Sequence, residues 1–288
     1  MTDSQPTLFA LGYGYSAEAL ARRLLPEGWR VIGTTRDDDK AKRMEAEGVE
    51  AIDFTSEAIA AALPQATHLL VSVGPDDEGD PSLRLARDAI EEHASALYWA
   101  AYLSTTGVYG DHHGAWVDET TPLLPTTSRG EKRVEAEHEW GTIPQLPLHV
   151  FRLAGIYGPG RGPFEKVRSG KARRIVKPGQ VFSRIHVDDI AAVLHASIER
   201  PNPGAVYNVC DDDPAPPQDV IAHAAELLGL PIPPEVPFDK AEMSPMARSF
   251  YAENKRVAND RMKNELGVEL IYPDYRSGLR SLLEAEPA

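Results

Sequence analysis

Cysteine is almost absent from this 288-residue chain. Cys210 stands alone, so no intrachain disulfide can form. At the end of an apolar run it reads as a packing residue rather than a nucleophile. Long hydrophobic runs are missing as well. No stretch approaches the roughly 18 apolar residues of a membrane-crossing helix. Met1 to Gly12 lacks the basic and apolar segments of a secretory signal. Positive charge is scarce: 30 lysines and arginines stand against 44 acidic residues, a formal net charge of −14. Nucleic acid and anionic membrane both require basic surface, so neither is an expected partner. No internal repeat or low-complexity tract is visible, and no metal is expected. What is present is an ordinary globular composition, 42% hydrophobic and 26% charged. The length suits one large domain, or one domain with a small lobe, and the cytoplasm is the expected compartment. An anionic ligand of so acidic a chain would need local positive charge, which directs attention to clustered arginines.

The first half alternates short apolar runs with helical patterns. Strands are expected at 7–11, 29–34, 49–53, 68–73, 99–105 and 149–153, with helices at 17–25, 40–47, 57–63, 82–96 and 129–140 between them. Such alternation predicts an α/β fold, a doubly wound parallel Rossmann sheet covered by helices on both faces. After Gly158 prolines and glycines become dense and the alternation fades. One helix (187–198) and one strand (205–209) still read as sheet material. The expected division is a dinucleotide-binding domain of residues 1–157 plus 186–210. A small substrate lobe would comprise 158–185 plus 211–288.

Gly12-Tyr13-Gly14-Tyr15-Ser16-Ala17 follows the first strand and opens the first helix. This is the G-x-G-x-x-A form of the dinucleotide fingerprint. Gly12 permits the tight turn, Gly14 lets backbone approach a pyrophosphate, and Ala17 lets the helix pack on the strand. The amides that open the helix, at Tyr15 and Ser16, face the phosphates. At the end of the second strand stands Arg36, 22 residues after Gly14, where a dinucleotide's ribose would lie. Arginine there suits the 2′-phosphate of NADP, whereas Asp37 beside it could serve NAD. Side-chain chemistry favours NADP over NAD. Asp53 is placed to meet the adenine edge. Val73 and Gly74, after the fourth strand, let backbone pass close to the ribose and pyrophosphate.

Four further segments carry a resemblance. They are Ser104-Thr105-Thr106-Gly107-Val108-Tyr109-Gly110, Arg152 to Gly160, Ile185-His186-Val187-Asp188-Asp189-Ile190-Ala191 and Tyr207-Asn208-Val209. With the glycine turn, they resemble the extended short-chain dehydrogenase/reductase superfamily, in its NAD-dependent epimerase/dehydratase group. The resemblance implies a substrate held under a small C-terminal lobe. It implies that Thr105 hydrogen-bonds the substrate oxygen, and that His186, Asp188 and Asp189 tie the lobe to the sheet. A homodimer through helices 82–96 and 127–140 is also implied.

Three departures set this chain apart. The glycine fingerprint is shorter than the superfamily's. The arginine four residues before the conserved-pattern histidine is Phe182 here, and Arg184 lies two before it. At the Y-x-x-x-K site, alignment on Gly130 and Ala136-Glu137 puts Arg129 and Arg133 where the tyrosine and lysine belong. A one-residue slip would offer Ser128 and Lys132 at the expense of both anchors. Arginine stays protonated and cannot act as a general acid or base near neutral pH. Two readings follow. One is an NAD(P)-dependent oxidoreductase or epimerase/dehydratase on a small, anionic substrate, with Arg129 and Arg133 binding anions and the proton supplied by Tyr109, His112, His113 or Tyr157. The other is a non-enzymatic NADP-binding sensor or regulator. Thr105 and the lobe favour the first, and the missing tyrosine favours the second.

Overall fold

The computed structural model describes residues 5–286. In the first half β1 (Thr7–Leu11), α1 (Tyr15–Leu24), β2 (Arg30–Thr35), α2 (Asp38–Ala46), β3 (Glu50–Asp53), α3 (Ser56–Ala62), β4 (His68–Val71), α4 (Pro81–His93) and β5 (Trp99–Thr105) alternate. A short β6 (Trp116–Val117) precedes α5 (Ser128–Gly141) and β7 (Leu148–Leu153). Then come β8 (Gly155–Tyr157), α6 (Phe164–Arg168), β9 (Arg174–Val176), β10 (Arg184–His186), α7 (Val187–Glu199) and β11 (Val206–Val209). The remainder holds α8 (Pro217–Leu227), β12 (Glu235–Pro237), α9 (Pro245–Phe250), β13 (Arg256–Val257), α10 (Asp260–Leu266) and α11 (Tyr275–Glu284).

Seven strands form one sheet in the order β11-β7-β5-β4-β1-β2-β3, every pair parallel. The chain winds outward from β1 to β3, returns to β4, and winds outward the other way. The reversal leaves a crevice between the carboxyl ends of β1 and β4, the usual ligand position in such sheets. Strand β1 is buried at all five positions, as its unbroken apolar sequence requires of a strand covered on both faces. One face is covered by α1, α7 and α10, through Leu20, Leu24, Ile190, Leu194, Met262 and Leu266. The other is covered by α3, α4 and α5, through Ile59, Leu83, Ile90, Ala136 and Trp140. All seven expected strands lie in this sheet.

A third apolar cluster joins two stretches far apart in sequence. Tyr157, Phe164 and Val167 pack with Val220, Ala224, Tyr275 and Leu279. The expectation that everything after Asp211 belongs with this lobe needs correction. Val257, Met262, Leu266 and Val268 are buried in the core of the sheet, so the chain returns to the sheet before α11 closes the lobe. Only Met262 and Leu266, one turn apart, lie on the short helix α10, too brief an apolar repeat to stand out in the sequence.

Polar groups fasten the layers. Arg152 of β7 pairs with Glu137 of α5 at 2.8 Å, with side chains only 6% and 9% exposed. Arg152 also donates to the Tyr109 hydroxyl at 2.9 Å, which in turn donates to Asn208 of β11 at 2.7 Å. Asp189 of α7 accepts the amides of Ile271 and Tyr272. Burial pushes its carboxyl up to about 6. His186 caps α7, its ring nitrogen accepting from the Asp188 amide at 3.2 Å.

Asp211 is 1% exposed, and one of its carboxylate oxygens has no partner. Burial pushes its pKa up to about 8, opposed by the nearby Arg184 guanidinium. Raised above its unfolded value of 3.8, it keeps a proton in the folded state that the unfolded chain releases. This group therefore favours folding most below about pH 4, and that contribution declines as pH climbs toward about 8. Asp211→Asn should gain stability over the parent across this window, read as a widening gap between urea midpoints. A gap independent of pH would refute the assignment. Truncating one partner of the buried ion pair leaves the other charge uncompensated. Arg152→Leu should cost about 3–5 kcal/mol in urea unfolding, and Arg152→Leu with Glu137→Leu should cost less than the two single changes summed. A single-variant cost under about 1 kcal/mol, the range of a surface pair, would contradict this.

Candidate functional site

Two concavities meet along the carboxyl edge of the sheet. The smaller, about 200 Å³, is bounded by Gly12, Gly14, Thr35, Arg36, Lys40, Phe54 and Val73. The larger, about 830 Å³, runs from Ser16 and Ser72 past Thr105 and α5 to the lobe. Ser72 lines both.

The glycine turn forms as its sequence demands. Gly12 has φ +81°, and a Cβ there would lie 2.4 Å from Val73 Cγ2, so only glycine fits. Its amide donates to Thr34 Oγ1 at 2.6 Å. Gly14 is different. A Cβ there would meet nothing closer than Ser72 Oγ at 3.5 Å, an ordinary contact. Nothing within the protein requires glycine at that point, which is what a ligand's close approach would explain. Gly14 is also the N-cap of α1 and supplies no side-chain cap, leaving the first-turn amides free for an anion. Ala17 is fully buried and brings α1 against the sheet. These residues fit a dinucleotide's pyrophosphate.

At the far end, the exposed Arg36 lies with its guanidinium 5.8 Å from the Phe54 ring centre, and Lys40 is the second cation there. Asp37 is engaged as the N-cap of α2, accepting from the Lys40 amide at 2.8 Å. That bond holds its carboxyl below the usual range. Asp53, at the end of β3, is exposed and outside the lining, whereas its neighbour Phe54 borders the cavity.

The two alternative residue pairs are placed differently relative to the large cleft. Arg129 and Arg133 line it. Ser128 lies outside the lining, and Lys132 pairs with Asp77 away from it. Arg129 rests over Phe250 at 4.6 Å. Arg133 donates to the Tyr102 hydroxyl at 3.1 Å and to the Leu103 carbonyl. Its guanidinium passes so close to Gly74 that a Cβ there would be 2.7 Å away. Thr105, at the end of β5, lines the cleft while its hydroxyl accepts the Gly107 amide at 3.2 Å.

The substitute proton donors do not assemble. Tyr109 is 0% exposed and its hydroxyl is consumed by Arg152 and Asn208, so its place among candidate catalytic groups is corrected to a core role. Tyr157 borders the cleft, but its hydroxyl points to the Asp274 carbonyl, and burial raises its pKa strongly. His112 faces the Tyr109 carbonyl, and His113 is exposed beside Asp111. Sequence reasoning passed over Lys255, Glu253, Arg161 and Phe250. Lys255 donates to the Gly110 carbonyl and to Glu253, both from within the cleft wall. Lys255, Glu253 and Arg161 come from irregular segments and Phe250 ends the short helix α9, with no motif to flag them. In total Arg129, Arg133, Arg161, Arg184 and Lys255 line the cleft against one carboxylate, Glu253.

No family model matches the chain. Protein YeeZ of Escherichia coli K12 is 30% identical over 279 residues, covering 92% of this chain and 95% of YeeZ. A 3-diazoavenalumate denitrifying reductase of Streptomyces is 31% identical over 197 residues, 65% of this chain and 62% of the reductase. Among solved structures, a conserved protein of unknown function from Silicibacter pomeroyi superposes with TM-score 0.93 at 61% identity, over 98% of this chain and 100% of the other. A protein of Methylobacillus flagellatus, provisionally described as an NAD-dependent epimerase/dehydratase, superposes with TM-score 0.75 at 28% identity, over 98% and 99% of the two chains. The chain belongs to the family of protein YeeZ, and its fold is that of the NAD-dependent epimerases and dehydratases.

Proposed function

We propose that this protein is an NADP(H)-dependent oxidoreductase or epimerase/dehydratase acting on a small anionic substrate. The observation that carries this reading is the cleft itself. In a chain of net charge −14, five cationic side chains and one carboxylate line a single cavity continuous with the glycine turn. A bound nicotinamide would supply or accept hydride. Gly12, Gly14, Tyr15, Ser16 and Ala17 would hold the pyrophosphate, with Val73 and Gly74 passing beside it. Arg36 and Lys40 would hold the 2′-phosphate, since Asp37 is spent on capping α2.

Arg129 and Arg133 would act as fixed positive charge. A guanidinium steadies a carboxylate, or oxyanion charge as it develops, without exchanging its proton. Thr105 would direct the substrate oxygen. The partial relative named a reductase favours hydride transfer as the reaction type. A homodimer through α4 and α5 and a cytoplasmic setting belong to the same reading. The alternative, a non-enzymatic sensor of NADP, draws on the inward-turned Tyr109 and Tyr157.

NADPH should bind more tightly than NADH in a fluorescence titration, and Arg36→Ala should abolish most of the difference. One charge-assisted phosphate contact is worth roughly 1.5–3 kcal/mol, about tenfold or more in affinity. Equal affinities in the parent protein would remove the NADP assignment. No binding of either dinucleotide would remove the function.

A further inference from the structure

The turn after β8 is tied across the cleft to the start of α1. Gly158 and Arg161 exchange backbone hydrogen bonds at 3.1 and 2.9 Å, closing a turn with Pro159 and Gly160 at its centre. Gly160 has φ +69°, the left-handed conformation the third residue of such a turn demands after proline. The Tyr15 hydroxyl donates to the Pro159 carbonyl at 2.9 Å. A Cβ on Gly158 would lie 2.4 Å from that hydroxyl and 2.7 Å from Val187, so the approach is as close as backbone permits. Burial pushes the Tyr15 phenol up to about 12, which keeps this donor protonated at physiological pH. The turn is thus held over the first residue of the helix whose amides are uncapped.

Arg161 ends this turn. Its guanidinium lies 5.8 Å from the Tyr15 ring centre and lines the same cleft as Ser16. The other cleft arginines are differently placed. Arg184 donates to the Phe182 and Ala215 carbonyls, Arg133 to Tyr102 and Leu103, and Arg129 stacks on Phe250 at the lobe. Among the described residues Arg161 donates no side-chain hydrogen bond and has no carboxylate within 4.0 Å, although Asp188 lies near Tyr15, where it pairs with His186 at 3.6 Å. Arg161 is exposed and stacks beside the residue that opens α1, so an unpaired guanidinium and the uncapped amides of the helix's first turn belong to neighbouring residues of one cleft, the two kinds of donor an anion takes.

We propose that Arg161 is a clamp for the cofactor's pyrophosphate, closing on it from the lobe. This rests on the dinucleotide reading above and adds a binding residue that the glycine turn does not contain. It also ties lobe to cofactor, because the clamping residue lies beyond the last strand of the first winding.

Three probes separate the phosphates: NADPH carries both groups, ADP-ribose only the pyrophosphate, and 2′-AMP only the 2′-phosphate. Arg161→Ala should weaken NADPH and ADP-ribose by about tenfold or more and leave 2′-AMP unchanged in calorimetric titration. Arg36→Ala should do the reverse, weakening NADPH and 2′-AMP while sparing ADP-ribose. Unchanged ADP-ribose affinity in Arg161→Ala overturns the clamp, whatever Arg36 does. So does an equal loss for all three probes, which would signal general damage. Failure of the parent protein to bind NADPH or NADH overturns the cofactor reading and the clamp with it.

Discussion

The Arg152 guanidinium is buried between the sheet and α5, where an isolated charge would cost several kcal/mol. It stays charged because Glu137 pairs with it, Tyr109 accepts from it, and Ser104 of β5 donates to the same Glu137 carboxylate. Tyr109 passes the chain on to Asn208, whose amide nitrogens reach Glu119 and the Ala258 carbonyl. Five parts of the fold are fixed by this one network: β5, β7, β11, α5 and the returning segment before α10. Removing any member strands another polar group in the core. The placement of α5 depends on it, and α5 carries Arg129 and Arg133.

That dependence sets where Arg129 and Arg133 stand. The two arginines hang from a helix anchored four residues further on by Glu137, so their positions are set by packing and not by their own chemistry. Arg133 is held on Tyr102 and the Leu103 carbonyl, and Arg129 on Phe250 of the lobe. Each presents a planar fork of donors. Both add positive charge to a cleft of a chain whose net charge is −14, the basis of the anionic substrate proposed above. In the proposed function the site binds anions and stabilises charge.

The parallel sheet was legible from the sequence because central strands read as unbroken apolar runs and the glycine turn fixed the position of the first crossover. The glycine turn was legible for a similar reason: Gly12 and Ala17 are dictated by backbone geometry that any such turn shares. Tyr109 was misplaced because a tyrosine after a strand end looks exposed until its partner, Asn208, arrives from 99 residues away. The return of residues 257–268 to the sheet was hidden because the apolar repeat of α10, Met262 and Leu266, is too brief to stand out. Lys255 and Arg161 could not be found at all, since an irregular loop carries no period and their roles come only from what the lobe brings opposite them.

The central claim is that the glycine turn and the arginine-lined cleft form one continuous site for NADP(H) and an anion. A crystal structure grown with NADP⁺ tests it most directly. The account predicts the pyrophosphate over the amides of Tyr15 and Ser16, the 2′-phosphate within hydrogen-bond distance of Arg36, and the nicotinamide end reaching Thr105 and Arg133. A dinucleotide bound elsewhere, or its absence at saturating concentration, would contradict it.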